Sequence, residues 1–201
     1  MAQDGGRCEE ALQEMKIAVS AGHYPAAPGA VWGQYTEHAK AFEWRDLIGS
    51  YLSNRGAGVV LVTPATLTKK IAQINAAKCT LAVEVHFNSD PGRKGKGSET
   101  LYCPGNPTGE ALADEVQRAI STFCAPNRGA KPGWYRMDLP GHEDYKGDVD
   151  GDEVKDAFLA KTNCTALILE PYFIHEGGKI DDNAMAVCDV IAGVLFNWAV
   201  K

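Results

Sequence analysis

The 201-residue chain is 45% hydrophobic and carries 21 Gly and 10 Pro, the size and mix of one globular domain that builds a core without disulfide or metal staples. Lys and Arg (20) against Asp and Glu (26) leave a net charge of −6, which lacks the basic footprint of nucleic-acid binding and of attachment to anionic membranes. No apolar stretch approaches the ~20 residues that span a bilayer, so membrane insertion is not expected.

Residues 1–14 (MAQDGGRCEEALQE) are acidic and polar, without the basic start and apolar run of a secretory signal. They are expected to form a flexible leader, and the protein to be made in the cytoplasm. Residues 16–20 form a short apolar strand that runs into Gly22 and His23, and the Gly-, Pro- and Ala-rich stretch 25–34 predicts a loop. Phe42, Leu47, Ile48, Tyr51 and Leu52 recur at helical spacing over 36–54, with Thr36 as N-cap and Gly56 and Gly58 as the stop. An apolar strand follows at 59–63, a helix at 67–78 and a strand at 81–87.

A short strand between glycines is predicted at 98–102, and a helix at 109–123 with its stripe on Leu112, Val116, Ala119 and Ile120. Residues 133–151 show no period and predict a long loop, after which 154–161 supply a helical turn or two. A buried-type strand at 165–169 and a closing helix at 183–199 complete the chain. Strands that are apolar on both faces and alternate with helices imply a single α/β domain, a central, mostly parallel mixed β-sheet flanked by helices on both faces. The six cysteines (8, 79, 103, 124, 164, 188) contain no C-x-x-C pair and are read as reduced thiols, several of them buried. Cys79, Cys103 and Cys164 lie in or beside apolar strands and are expected in the core rather than as nucleophiles.

Polar residues interrupt the apolar strands at their carboxyl ends: His23 after the first, His86 near the end of the third, Glu170 at the end of the last. Those ends border the binding crevice of an open α/β sheet. Glu37, in the first turn of the next helix, reaches the same crevice if the His23 loop folds back. Two imidazoles and a carboxylate suit a catalytic zinc with one position left for water. A further carboxylate, for which Glu170 is the natural candidate, then moves the proton in amide hydrolysis. No H-E-x-x-H signature is present, so spacing alone does not single out this chemistry.

The wording of four segments does more. The run 16–23 (KIAVSAGH) followed by Pro28-Gly-Ala30, the run 83–89 (VEVHFNS) followed by 95–99 (GKGSE), the turn 127–131 (NRGAK) and the run 158–170 (FLAKTNCTALILE) resemble, in order, the zinc-dependent N-acetylmuramoyl-L-alanine amidases of the amidase-3 family. The resemblance implies one zinc per chain held by His23, Glu37 and His86, with Glu170 as catalytic acid and base. The substrate it implies is peptidoglycan, cut at the amide between N-acetylmuramic acid and L-alanine. Glu43 competes with Glu37 for the ligand role, but the family's ligand sits at the helix start, and Glu43 lies about 9 Å further along the axis. The expected setting is a phage endolysin that reaches the cell wall after release, the alternative a bacterial lysis or sporulation amidase.

Residues 133–153 depart from the family as an inserted loop bearing Trp134, Tyr135, His142 and Tyr145, which either flanks the substrate groove or is a disordered insertion. Asp148, Asp150 and Asp152 start like a calcium loop, but Glu153 stands where Gly is needed and Leu159 where the closing Glu belongs. His142 and His175 are read as surface residues. Glu84 shares a strand face with His86 and is either a partner of that histidine or a member of a buried ion pair. Three rivals remain. A zinc carboxypeptidase would place a Glu three residues after its first His, where Ala26 stands; a peptidoglycan-binding module would lack one of the four groups; a serine or cysteine hydrolase would show a nucleophile motif such as G-x-S-x-G, which is missing.

Overall fold

The computed structural model describes residues 15–136 and 153–201. Its centre is a six-stranded sheet of β1 (Lys16–Ala21), β4 (Gly58–Leu61), β5 (Leu81–Val85), β6 (Ser98–Tyr102), β7 (Asn127–Pro132) and β10 (Thr165–Glu170), in the order β4-β1-β5-β10-β6-β7. The first four strands in that order are mutually parallel; β6 runs antiparallel to β10, and β7 runs parallel to β6. This is the predicted α/β layered domain with a mixed, mostly parallel sheet.

Residue alternation sorts the core onto the two faces. Ile17, Val19, Leu81, Val83, Val85, Leu167 and Leu169 pack against three helices: α1 (Glu37–Asn54), α3 (Pro107–Ile120) and α5 (Gly177–Ala199). The other face carries Ala18, Ala82 and Ala166 in register across three strands. Their small side chains leave room for Ile71 and Ile74 of α2 (Leu67–Ala77) and Phe158 and Leu159 of α4 (Ala157–Lys161). Each large side chain so buried contributes roughly 1.5–3 kcal/mol. Trp44 of α1, fully buried, meets the edges of Phe87 and Tyr172 at 5.3 and 6.3 Å between centroids. No helix among the described residues is long and apolar enough to cross a membrane.

Thr36 caps α1 as predicted, its Oγ1 accepting from the Ala39 amide at 3.3 Å. Elsewhere the elements differ from the sequence reading. The loop at 25–34 leads into a small ribbon of β2 (Val31–Trp32) and β3 (Tyr35–Thr36). The segment read as a turn at 127–131 is strand β7. The described ends of the long loop pair as a second ribbon, β8 (Trp134–Arg136) with β9 (Glu153–Lys155), so the helix expected from 154 starts only at Ala157, where Asp156 caps it through the Leu159 amide. Helix α3 begins two residues earlier than predicted, with Asn106 as cap and Pro107 in its first turn. Residues 1–14, His142, Tyr145 and the Asp148-Asp150-Asp152 series lie outside the described residues.

Candidate metal centre

Parallel strands β1, β5 and β10 end side by side, with Ala21, Val85 and Leu169 in register. The Gly22 amide donates to the Val85 carbonyl at 2.7 Å and the His86 amide to the Leu169 carbonyl at 2.8 Å. The residues just beyond, His23, His86 and Glu170, therefore gather at one edge of the sheet. The segment between β1 and α1 folds back over that edge: Glu37 and His38 donate their amides to the Ala30 and Pro28 carbonyls, each at 2.9 Å. His38, which the sequence reading passed over, ties this turn to β1 through Nδ1 and the Gly22 carbonyl at 3.0 Å.

The fold-back delivers Glu37 between the two histidines. Its Oε2 lies 3.0 Å from His23 Nε2 and its Oε1 2.9 Å from His86 Nδ1. The amides of Ala30 and Phe87 donate to the same carboxylate at 3.1 and 3.3 Å. One ligand atom from each of His23, Glu37 and His86 falls within 4.8 Å of the others. Glu43 is not part of this cluster; it pairs with Lys40 on the exposed side of α1 at 2.8 Å.

Two glycines shape the cradle. A Cβ on Gly22 would stand 2.6 Å from the His86 ring. Gly29 has φ +75°, and a Cβ there would come within 2.5 Å of both Glu37 Oε2 and His23 Cδ2. The backbone is thus brought as close to the three polar groups as it can come. Two imidazoles and one buried carboxylate facing a common point are the donor set of a catalytic zinc centre, so these residues fit such an ion.

Burial raises the Glu37 carboxyl, but hydrogen bonds from His23 and His86 and their charges outweigh it and hold the group well below the usual carboxylate range. Burial pushes the His86 imidazole down, and Glu37 and Glu84 more than reverse this, raising it well above an ordinary histidine. Glu84 is buried yet held low by His86 and Lys70.

Glu84 resolves the choice the sequence left open, because it does both things. Its Oε1 faces His86 Nε2 at 3.1 Å, while Oε2 accepts from Lys70 Nζ at 2.5 Å and from Ser20 Oγ at 2.6 Å. Lys70, only 3% exposed, was missed; the signal was a lysine sharing the buried stripe of α2 with Ile71 and Ile74. A pocket of about 240 Å³ opens beside the cluster, lined by His23, Tyr24, Lys70, Glu84, His86 and Phe158 among others.

Glu170 is buried at the end of β10, one residue beyond the carbonyl that receives the His86 amide. Its cross-strand partner is Glu99, which closes the 95–99 motif and was given no role from sequence. The carboxylate of Glu99 pairs with Arg128 Nε at 2.9 Å and Lys131 Nζ at 2.5 Å, and it accepts from Asn88 Nδ2 at 3.0 Å. His175 sits half-buried on a short 3₁₀ turn, Ile174–Glu176, and is not part of the cluster. The five cysteines among the described residues are free thiols; Cys79, Cys124 and Cys188 are buried.

Residues 17–181 match the family model Amidase_3, described as N-acetylmuramoyl-L-alanine amidase. Among solved structures, the N-acetylmuramoyl-L-alanine amidase AmiC2 of Nostoc punctiforme superimposes with a TM-score of 0.75 at 17% identity, over 94% of this chain and 98% of that one. The catalytic domain of the amidase CwlV from Bacillus (Paenibacillus) polymyxa var. colistinus gives 0.74 at 19% identity, over 92% and 97%. The catalytic domain of the CD27L endolysin, which targets Clostridia difficile, gives 0.70 at 22% identity, over 91% and 97%. No curated protein matches the sequence significantly.

Proposed function

Since this chain belongs to the N-acetylmuramoyl-L-alanine amidase family Amidase_3, we propose that it hydrolyses peptidoglycan at the lactyl–L-alanine amide with one zinc ion held by His23, Glu37 and His86. The observation that carries the reading is the convergence of those three side chains within 4.8 Å. Zinc bound there would supply a Lewis acid for the scissile carbonyl and lower the pKa of a water to about 7.

The protein's own groups do the rest. Glu37, buried and clamped by two backbone amides, holds its carboxylate between the imidazoles. In this reading Glu170 takes the proton of the attacking water as the water oxygen adds to the lactyl carbonyl carbon, and returns it to the departing nitrogen as the C–N bond breaks. The products are the lactyl carboxylate of N-acetylmuramic acid and a peptide with a free L-alanine amino terminus. The pocket beside His23 and His86 is the natural seat for one side of the scissile bond.

The finer role we propose is bacteriolytic, that of a phage endolysin. Its support is the fold shared with the CD27L catalytic domain; AmiC2 and CwlV share that fold as well. Clearing of intact cells by added protein, beside the same assay on purified wall, separates a lytic enzyme from one confined to wall maturation.

The chemical test pairs metal content with release of free amino-terminal L-alanine from purified peptidoglycan, for wild type and Glu170→Ala. One zinc per chain in both, with release lost only in the variant, is the expected result. Zinc bound but no new L-alanine terminus from any wall type would overturn the amidase reaction.

A further inference from the structure

The polar network behind His86 is larger than a single supporting hydrogen bond, and it is buried where charge is costly. Glu84 and Lys70 are each 3% exposed and Ser20 is fully buried. The three come from three elements, β5, α2 and β1. Ser20 and Glu84 are strand partners in register, and Lys70 reaches the carboxyl end of β1 to donate to the Ala21 carbonyl at 2.9 Å as well as to Glu84.

The oxygens of Glu84 are divided between two tasks. Oε2 takes both donors from the structural side, Lys70 and Ser20, while Oε1 is left for His86 Nε2. The opposite ring nitrogen of His86, Nδ1, is the one turned toward Glu37. We infer that Glu84 is a positioning residue for the metal centre: it fixes the orientation and tautomer of His86 by accepting from Nε2, so that Nδ1 is presented to the ion beside Glu37. Lys70 and Ser20 hold the carboxylate in place, and the Lys70 charge offsets the Glu84 charge, so the support adds no net charge to the site.

A metal-bound histidine is commonly oriented by such a carboxylate, and its loss typically costs 10–100-fold in metal affinity. A buried ion pair serving stability alone behaves differently, because replacing both members with apolar groups of similar volume is often neutral or stabilising. That contrast supplies the test.

The inference rests on the reading of His23, Glu37 and His86 as zinc ligands, and the experiment separates the two. Zinc dissociation constants are measured by competition with a chromophoric chelator for wild type, Glu84→Leu/Lys70→Met and Glu84→Gln/Lys70→Met, with melting temperatures recorded after chelation. The apolar pair is expected to bind zinc 10–100-fold more weakly than wild type. The glutamine pair, which keeps a neutral acceptor for Nε2, is expected to recover part of that loss. Equal affinity in wild type and the apolar pair overturns the inference while leaving the zinc centre intact. A wild type that binds no zinc removes the centre and the inference with it. Should the apolar pair fail to fold, Glu84→Ala/Lys70→Met, which likewise removes the acceptor for Nε2, decides in its place: weaker zinc binding supports the role and unchanged binding overturns it.

Discussion

Glu99 and Glu170 face each other across the antiparallel β10–β6 junction, the one place where the sheet changes direction. Both are buried, and like charges placed opposite each other on a sheet are destabilising. Arg128 and Lys131, both contributed by β7, meet the Glu99 carboxylate at one oxygen, Oε2, while Asn88 from the loop after β5 holds the other. The proposed acid–base residue thus sits beside a carboxylate whose charge is already compensated from the neighbouring strand.

The arrangement has a pH consequence. Burial raises the Glu99 carboxyl, but Arg128 and Lys131 more than offset this and leave it below its usual value. A carboxyl whose folded pKa is depressed stabilises the protein fully above its unfolded pKa of about 4.3. That contribution is lost as pH falls through the folded value. Glu99→Gln should therefore cost about 1–3 kcal/mol at pH 7 and less in acid. Urea midpoints of both proteins between pH 7 and pH 3 test this, and acid limbs that run parallel would contradict it.

The buried thiols should be chemically quiet. Burial pushes Cys124 up to about 12 and Cys188 well above an ordinary thiol, and neither has exposed surface. At pH 8 a thiol near 12 is ionised to only about one part in ten thousand. Mapping of alkylated sites by mass spectrometry should find Cys124 and Cys188 unmodified in the folded protein and modified in urea. Rapid labelling of either in the folded state would refute the burial.

What could be read in advance follows the physics that fixes each part. Strands β1, β5 and β10 were legible because each is an apolar run closed by a polar residue, and His23, His86 and Glu170 are those closing residues. Strand β7 was not: Asn127–Pro132 has no apolar alternation, and it becomes a strand because β6 offers it a ladder and α3 covers it, a tertiary effect that local preference does not carry. The start of α5 was hidden by Gly177 and Gly178. Gly177 is required there by the Tyr35 ring, which a Cβ would approach to 2.3 Å. Glu99 was quoted without a role and Lys70 was passed over, since partners from distant elements, not their own neighbours, make their burial possible.

Gly29 turns this packing into a direct test. Its φ of +75° disfavours any side chain, and a Cβ would press on Glu37 and His23 together. Gly29→Ala should destabilise by about 1–3 kcal/mol and weaken zinc binding, since the loop must move away from Glu37 and His23 to make room. Zinc affinity equal to wild type would mean that the Gly29 turn does not shape the cradle.

The choice between two glutamates on one helix is the sharpest remaining prediction. Glu37 enters the cluster from the first turn of α1, whereas Glu43, still competing on sequence, points outward to Lys40 at 2.8 Å. Its side chain is about half exposed, and an exposed pair of this kind is worth at most about 1 kcal/mol. Glu43→Gln should therefore leave zinc content, amidase activity and melting temperature near wild type. Glu37→Gln keeps the size and the acceptor oxygen but removes the charge between His23 and His86, so zinc affinity should fall at least about tenfold, no less than the loss typical when a partner supporting a metal-binding histidine is removed. Chelation should abolish wild-type activity and added zinc restore it, whereas Glu37→Gln should need excess zinc for any recovery. If Glu43→Gln loses metal and Glu37→Gln does not, the ligand assignment along α1 is wrong and the loop between β1 and α1 must fold differently from the arrangement described above.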